Sequence, residues 1–193
     1  MPMNSENLKK LICIIDEQLL KGSLLLAIEG GSAAGKTSLA EQLRQHYDCP
    51  VFHTDDYFLR PEQRTAQRLA EPGGNMDRER FKAEILCKLT AGETIVYRPF
   101  DCSTMSLKEE IQTEPGRLNI IEGAYCMHPE LSDAYGLTVF LDIEPELQRK
   151  RIGKRNTPEK AQMFFSRWIP MEQKYFEAMK IKDRCDIVIC AEE

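Results

Sequence analysis

Residues 30–37 read Gly-Gly-Ser-Ala-Ala-Gly-Lys-Thr. They fit the pattern G-x-x-x-x-G-K-[ST] at every fixed position. Gly30 and Gly35 stand where the backbone must turn tightly and come close to a ligand. Successive N–H groups along Gly30, Gly31, Ser32, Ala33, Ala34, Gly35, Lys36, Thr37 and Ser38 then form a concave nest for phosphate oxygens. A helix starting at the loop adds its positive dipole end. In this geometry Lys36 reaches the β- and γ-phosphates of a nucleotide, and the Thr37 hydroxyl binds Mg²⁺.

A phosphoryl-transfer site also needs acids, to hold Mg²⁺ and to orient a nucleophile. Asp55 and Asp56 follow the apolar segment Pro50–His53. Asp55 can orient an acceptor hydroxyl and take its proton, or it can cap a helix entered at Tyr57. Glu122 directly follows Asn119–Ile120–Ile121 and suits a Mg²⁺ site, which favours one or two carboxylates plus phosphate oxygens. A helix-dipole or salt-bridge role is the competing reading. Asp142 precedes Pro145 and reads more simply as a helix cap. Residues 149–155 run Arg-Lys-Arg-Ile-Gly-Lys-Arg. On a helix, Arg151 and Arg155 share a face, from which they can stabilise charge on a transferring phosphoryl group. A solvated basic face is the alternative.

The elements that must position these residues are visible in the hydropathy pattern. Leu24–Ile28, Pro50–His53, Leu118–Ile121, Leu137–Ile143 and Asp186–Cys190 are short apolar runs of strand type. Between most of them lie helical stripes: Leu39, Ala40, Leu43 and Tyr47 after the loop, and Phe81, Ile85, Leu86 and Leu89 later. Leu8, Leu11, Ile12, Ile15 and Leu19 mark a first helix. Strands alternating with helices predict a parallel sheet covered on both faces. Ligands then bind beyond the carboxyl ends of the strands, where the acids named above fall. The long, turn-rich segment from Leu59 suits a substrate-side cap over residues 59–105. A mobile helical lid is expected over 144–176, within a single domain spanning 1–193.

A formal charge of −5 disfavours nucleic acid and acidic membrane surfaces as partners. No apolar stretch approaches the roughly 20 residues that span a bilayer. Seven cysteines without a C-x-x-C spacing predict no disulfide framework and a reducing, cytoplasmic location. The three histidines show no metal-ligand spacing. An exposed face on the first helix is compatible with a homo-oligomer and equally with core packing alone. The chain contains neither Asn-Lys-x-Asp nor Leu-Ser-Gly-Gly-Gln, so ATP is the expected nucleotide.

From about Leu24 to Val188 the chain resembles the uridine kinase, phosphoribulokinase and nicotinamide riboside kinase family of phosphate-loop kinases. The motifs occur in family order: GGSAAGKTSLA (30–40), HTDDYF (53–58), NMDRERF (75–81), YRPFD (97–101), NIIEGAY (119–125), RKRIGKR (149–155) and WIPMEQKYF (168–176). The resemblance implies a five-stranded P-loop NTPase fold with a helical lid. It implies that Asp55 is the catalytic aspartate, that Asp77 binds ribose hydroxyls and that Glu122 serves the Mg²⁺ site. Tyr57 and Arg98 join Asp77 as expected acceptor contacts, with Lys36, Arg151 and Arg155 around the transferring group. Where uridine kinases carry a His and an Arg after the Pro-x-Tyr-Asp element, this chain runs Cys102–Ser103–Thr104–Met105–Ser106. The expected activity is ATP- and Mg²⁺-dependent transfer to a hydroxyl of a small molecule, foremost a nucleoside. A non-nucleoside alcohol or sugar phosphate as acceptor, a regulatory ATPase and a nucleic-acid-associated ATPase are the competing readings.

Overall fold

A computed structural model describes residues 4–192. Strands β1 (Leu24–Gly30), β2 (Val51–His53), β3 (Leu118–Glu122), β4 (Leu137–Asp142) and β5 (Ile187–Cys190) form one five-stranded sheet. Their order is β2-β3-β1-β4-β5, and every pairing is parallel. All five apolar runs read from the sequence are therefore strands of this sheet.

Side chains alternate across the sheet, and both faces are dry. Leu26, Ile28, Ile120, Val139 and Leu141 point to one face. There they meet Leu11 and Ile15 of helix α1 (Ser5–Leu19) and Leu39 and Leu43 of helix α2 (Lys36–Tyr47). Ala27, Phe52, Ile121 and Phe140 point to the other. That face is covered by Phe81 and Ile85 of helix α3 (78–91) and Tyr175 of helix α5 (158–178). Burial on both sides explains why the strands read as continuous apolar runs rather than as an alternating pattern.

Helix α4 (Pro145–Arg155) leads into α5. Both α3 and α5 contain one π-helical stretch, at Lys82–Leu86 and Phe164–Trp168. Such wide turns occur frequently at functional sites. The segment between β2 and β3 also carries two short antiparallel ribbons that the hydropathy pattern did not reveal. They pair Ile95–Tyr97 with Ile111–Thr113, and Phe100–Asp101 with Ser106–Leu107. Among the described residues no helix is long and apolar enough to cross a membrane.

Candidate active site

The loop between β1 and α2 sits in the middle of the sheet edge, because β1 is the central strand. Gly30 ends β1 at φ 146°, and a Cβ there would lie 2.4 Å from the Leu141 carbonyl oxygen. Only glycine lets the loop leave the sheet against β4 at this point. Ala33 takes a left-handed φ of 64° within the loop. Lys36 folds back over it, donating to the carbonyls of Gly30 (2.8 Å) and Gly31 (3.0 Å).

Thr37 and Glu122 meet. The Thr37 hydroxyl donates to Glu122 Oε1 at 3.0 Å, and His53 Nδ1 lies 2.6 Å from the same oxygen. The parallel register explains the second contact, since His53 and Glu122 are direct partners at the ends of β2 and β3. Burial is the largest influence on Glu122 and pushes its carboxyl up. His53, Lys36 and Thr37 together outweigh it and hold the group below its usual range. The same hydrogen bond to Glu122 raises His53. A hydroxyl beside an ionised, nearly buried carboxylate is a donor set that suits Mg²⁺, with the remaining ligands left to phosphate oxygens and water. Among the described residues no group of three or more His, Cys, Asp or Glu is disposed to hold a metal by itself.

Asp55 lies in a 3₁₀ turn, Thr54–Tyr57, that directly follows β2. No helix starts at Tyr57, so the capping role weighed for Asp55 has no helix to serve. The turn is fixed by Thr54, whose hydroxyl donates to the Ala124 carbonyl at 2.9 Å. Asp55 keeps an open face to solvent, while surrounding protein partly desolvates it and raises its carboxyl. Lys36, His53 and Arg155 pull it down, and Glu122 pushes it up. The charges that Asp55 feels are thus those of the loop lysine, the β2–β3 acid–histidine pair and the basic helix.

Other candidates take different stations. Tyr57 is fully buried; its hydroxyl donates to Glu84 at 3.0 Å and the Arg80 guanidinium lies over its ring at 4.1 Å. Asp77, 2% exposed, caps α3 by accepting from the Arg80 amide, and receives Gln63 Nε2 at 2.8 Å. Arg98 is exposed and donates to the Lys108 carbonyl. Arg151 donates to the carbonyls of Ala33 (3.0 Å) and Glu192, so it braces the outer side of the loop. Arg155 is exposed, with its guanidinium over Phe164 at 5.4 Å. Asp142 pairs with Lys182 at 2.5 Å.

Three residues at the site escaped the sequence reading. His53 lacks metal-ligand spacing, yet its place at the end of a strand, two residues before Asp55, is a usable signal. Glu29 is a charge inside the apolar run of β1 and is wholly buried. It accepts from the amides of Gly30 (2.9 Å), Tyr125 (3.3 Å) and Met127 (3.0 Å) and from the Tyr175 hydroxyl (3.1 Å). Burial pushes it up to about 7, against the pull of these donors and Lys36. Tyr125 itself is held at φ 78°, a left-handed backbone that costs a non-glycine residue about 1–2 kcal/mol. Glu172 of α5 accepts from the Ser32 amide (2.8 Å) and hydroxyl (2.5 Å), while Gln148 donates to the Ser32 carbonyl at 2.8 Å. Glu172 lies inside the motif WIPMEQKYF (168–176), but nothing in that stretch points to the loop, because its partner Ser32 is distant in the chain.

No protein-family model matches the chain. A curated uridine kinase of Chloroflexus aurantiacus is 26% identical over 147 residues, 71% of this chain and 69% of that protein. One from Brevibacillus brevis is 25% identical over 147 residues, 71% and 68% of the two chains. Among solved structures, a possible uridine kinase from Bacillus stearothermophilus superposes with a TM-score of 0.69 at 23% identity, covering 95% of this chain and 99% of the other. A putative fructose transport system kinase from Silicibacter superposes at 0.60 with 19% identity, over 87% and 90%. These last two show the fold. The five-stranded parallel sheet with the loop at its central strand is an α/β P-loop NTPase fold, and in sequence the chain is similar to proteins named uridine kinase.

Proposed function

We propose that this chain transfers the γ-phosphoryl group of ATP to a hydroxyl of a nucleoside. The observation that carries the proposal is the setting of Asp55. It is an open-faced carboxylate at the end of β2 that feels Lys36, Glu122, His53 and Arg155 at once. A hydroxyl resting on Asp55 therefore stands across from the phosphates that Lys36 and the loop amides hold.

In the proposed reaction the acceptor oxygen forms a bond to the γ-phosphorus as the β–γ bridging bond breaks. The acceptor's proton passes to Asp55, and ADP remains in the loop. Lys36 and the amides of residues 30–38 bind the phosphates. Thr37 and Glu122 are the residues that would hold Mg²⁺, which supplies charge neutralisation on the phosphate oxygens. His53 keeps Glu122 oriented and ionised. Arg155, with Arg151 behind the loop, balances charge on the transferring group, and residues 144–176 act as the lid. Asp77 and Arg98 are the proposed acceptor contacts within a cap spanning 59–105, while Tyr57, fully buried with its hydroxyl on Glu84, packs beneath them without reaching an acceptor. Preorganised placement of this kind lowers barriers by several kcal/mol.

The nucleoside acceptor rests on the curated relatives and on the family motifs at 75–81 and 97–101. A second reading, an acceptor outside the nucleosides, draws support from residues 102–106, which hold neither the His nor the Arg of uridine kinases. The deciding experiment is ADP formation from Mg²⁺–ATP with uridine, cytidine, nicotinamide riboside, pantothenate and ribulose 5-phosphate. Stimulation by the nucleosides is expected. Stimulation confined to the last two would replace the nucleoside with an anionic alcohol, and a flat response would leave a regulatory ATPase.

A further inference from the structure

The contact between Glu172 and Ser32 joins a buried carboxylate to donors that belong to a phosphate-binding loop. Glu172 is 6% exposed. Its two oxygens take the Ser32 amide and the Ser32 hydroxyl separately, so both donors of that residue are spent on one anion. The neighbouring groups locate this anion. Glu172 feels the positive charge of Lys36 and the negative charge of Asp55. It is therefore close enough to the loop lysine and to Asp55 to sense both charges. Ser32 stands at the strand end of the loop, away from the amides at the start of α2 that hold the inner phosphates.

We propose that Glu172 competes with the γ-phosphate for Ser32 and thereby sets how the site discriminates ATP from ADP. The inference rests on residues 30–37 being the nucleotide loop of the proposed kinase. An amide N–H gives one strong hydrogen bond, so a phosphate oxygen that takes the Ser32 amide must displace the carboxylate. Two anions cannot share the position without mutual repulsion. A diphosphate, whose terminal group stays in the inner nest, leaves Glu172 where it is.

The rest of α5 is built to respond. One turn after Glu172, Tyr175 donates to Glu29 at the root of the same loop. Just before Ile169–Ala178 comes the π-helical stretch Phe164–Trp168, a place where a helix can change its winding. Release of Glu172 loosens one of two ties between this helix and the loop. After transfer, the carboxylate returns to Ser32, the position it holds with no nucleotide bound.

Trp168 is the only tryptophan in the chain, and it lies in the hinge. Its emission can be followed in the whole protein with Mg²⁺ and either ADP or β,γ-imido ATP. In the unsubstituted protein the imido nucleotide is expected to change the emission more than ADP does. Glu172→Gln removes the charge and Glu172→Asp shortens the reach by one methylene. Each is expected to tighten the imido nucleotide about tenfold, the worth of one charge-assisted hydrogen bond, and ADP by less than about threefold. Unchanged or weaker binding of the imido nucleotide by folded Glu172→Gln overturns the proposal while leaving the kinase reading intact. If Glu172→Gln does not fold, the same outcome with Glu172→Asp overturns it. If the unsubstituted protein binds neither nucleotide, the loop reading fails and the proposal falls with it.

Discussion

Asp55 carries the proton in the proposed reaction, so its ionisation sets the acid limb of activity. Partial desolvation by the surrounding protein raises its carboxyl above the ordinary aspartate range. A general base works only when ionised, so kcat/KM should fall as pH drops through that raised value. Asp55→Asn is expected to lower kcat by about 10²–10⁴-fold with ATP binding nearly unchanged; near-normal kcat would remove Asp55 from the base role. Lys36→Ala should nearly abolish turnover, as read by ADP formation. Glu29 behaves differently, because both its oxygens accept from fixed donors. In Glu29→Gln an amide NH₂ would face one of these N–H groups, at a cost of about 1–3 kcal/mol by denaturant unfolding. The folded protein holds the Glu29 proton more tightly, up to about 7 against an ordinary 4.5. By linkage the Glu29 contribution to stability falls as pH rises across that window, and the slope should vanish in the variant. Lys36, Thr37, Asp55 and Glu122 were legible in the sequence because each follows a strand or a motif. Glu172 was not, since only folding brings α5 to the loop.

The element that orients Asp55 is the 3₁₀ turn, and the loop after β3 holds that turn in place. Gly123 sits at φ 136°, and a Cβ there would lie 2.0 Å from Thr54 Oγ1. Gly123→Ala must push Thr54 off the Ala124 carbonyl and move the turn with it. A displacement near 1 Å costs about 10²-fold in rate, so kcat should fall sharply while nucleotide affinity, read by titration, changes little. Helix α1 answers a different test. Leu11 and Ile15, almost wholly buried against β1 and β4, should each cost about 2–5 kcal/mol when cut to Ala, with no change in KM among molecules that stay folded. The strands and helices of the sheet were readable from period and run length. The ribbons at 95–113 were not, because strands of two or three residues leave no period to detect. The π-helical stretches were equally invisible, since one widened turn within a helix carries no residue signature of its own.

Across the whole molecule, loop, strand-end acids and α5 meet at one edge of the sheet, so nucleotide should stabilise the fold as a unit. Mg²⁺–ATP analogue at a hundredfold excess over Kd contributes about 2.7 kcal/mol, and each kcal/mol shifts the Tm of a chain this size by about 2–4 °C. A rise of about 5–10 °C on this basis is expected by calorimetry, and Lys36→Ala should erase most of it. The strand order has a further consequence, which belongs to the time before the site exists. β1 pairs with β3 and β4 alone, and those partners lie about 94 and 111 residues downstream. While the chain is being synthesised, Leu24–Gly30 therefore waits as an unpaired, apolar edge until residue 142 has emerged. Long-range parallel pairing of this kind folds slowly and exposes the nascent chain to aggregation. The central position that makes β1 a good platform for a ligand also makes it the strand that waits longest for its neighbours.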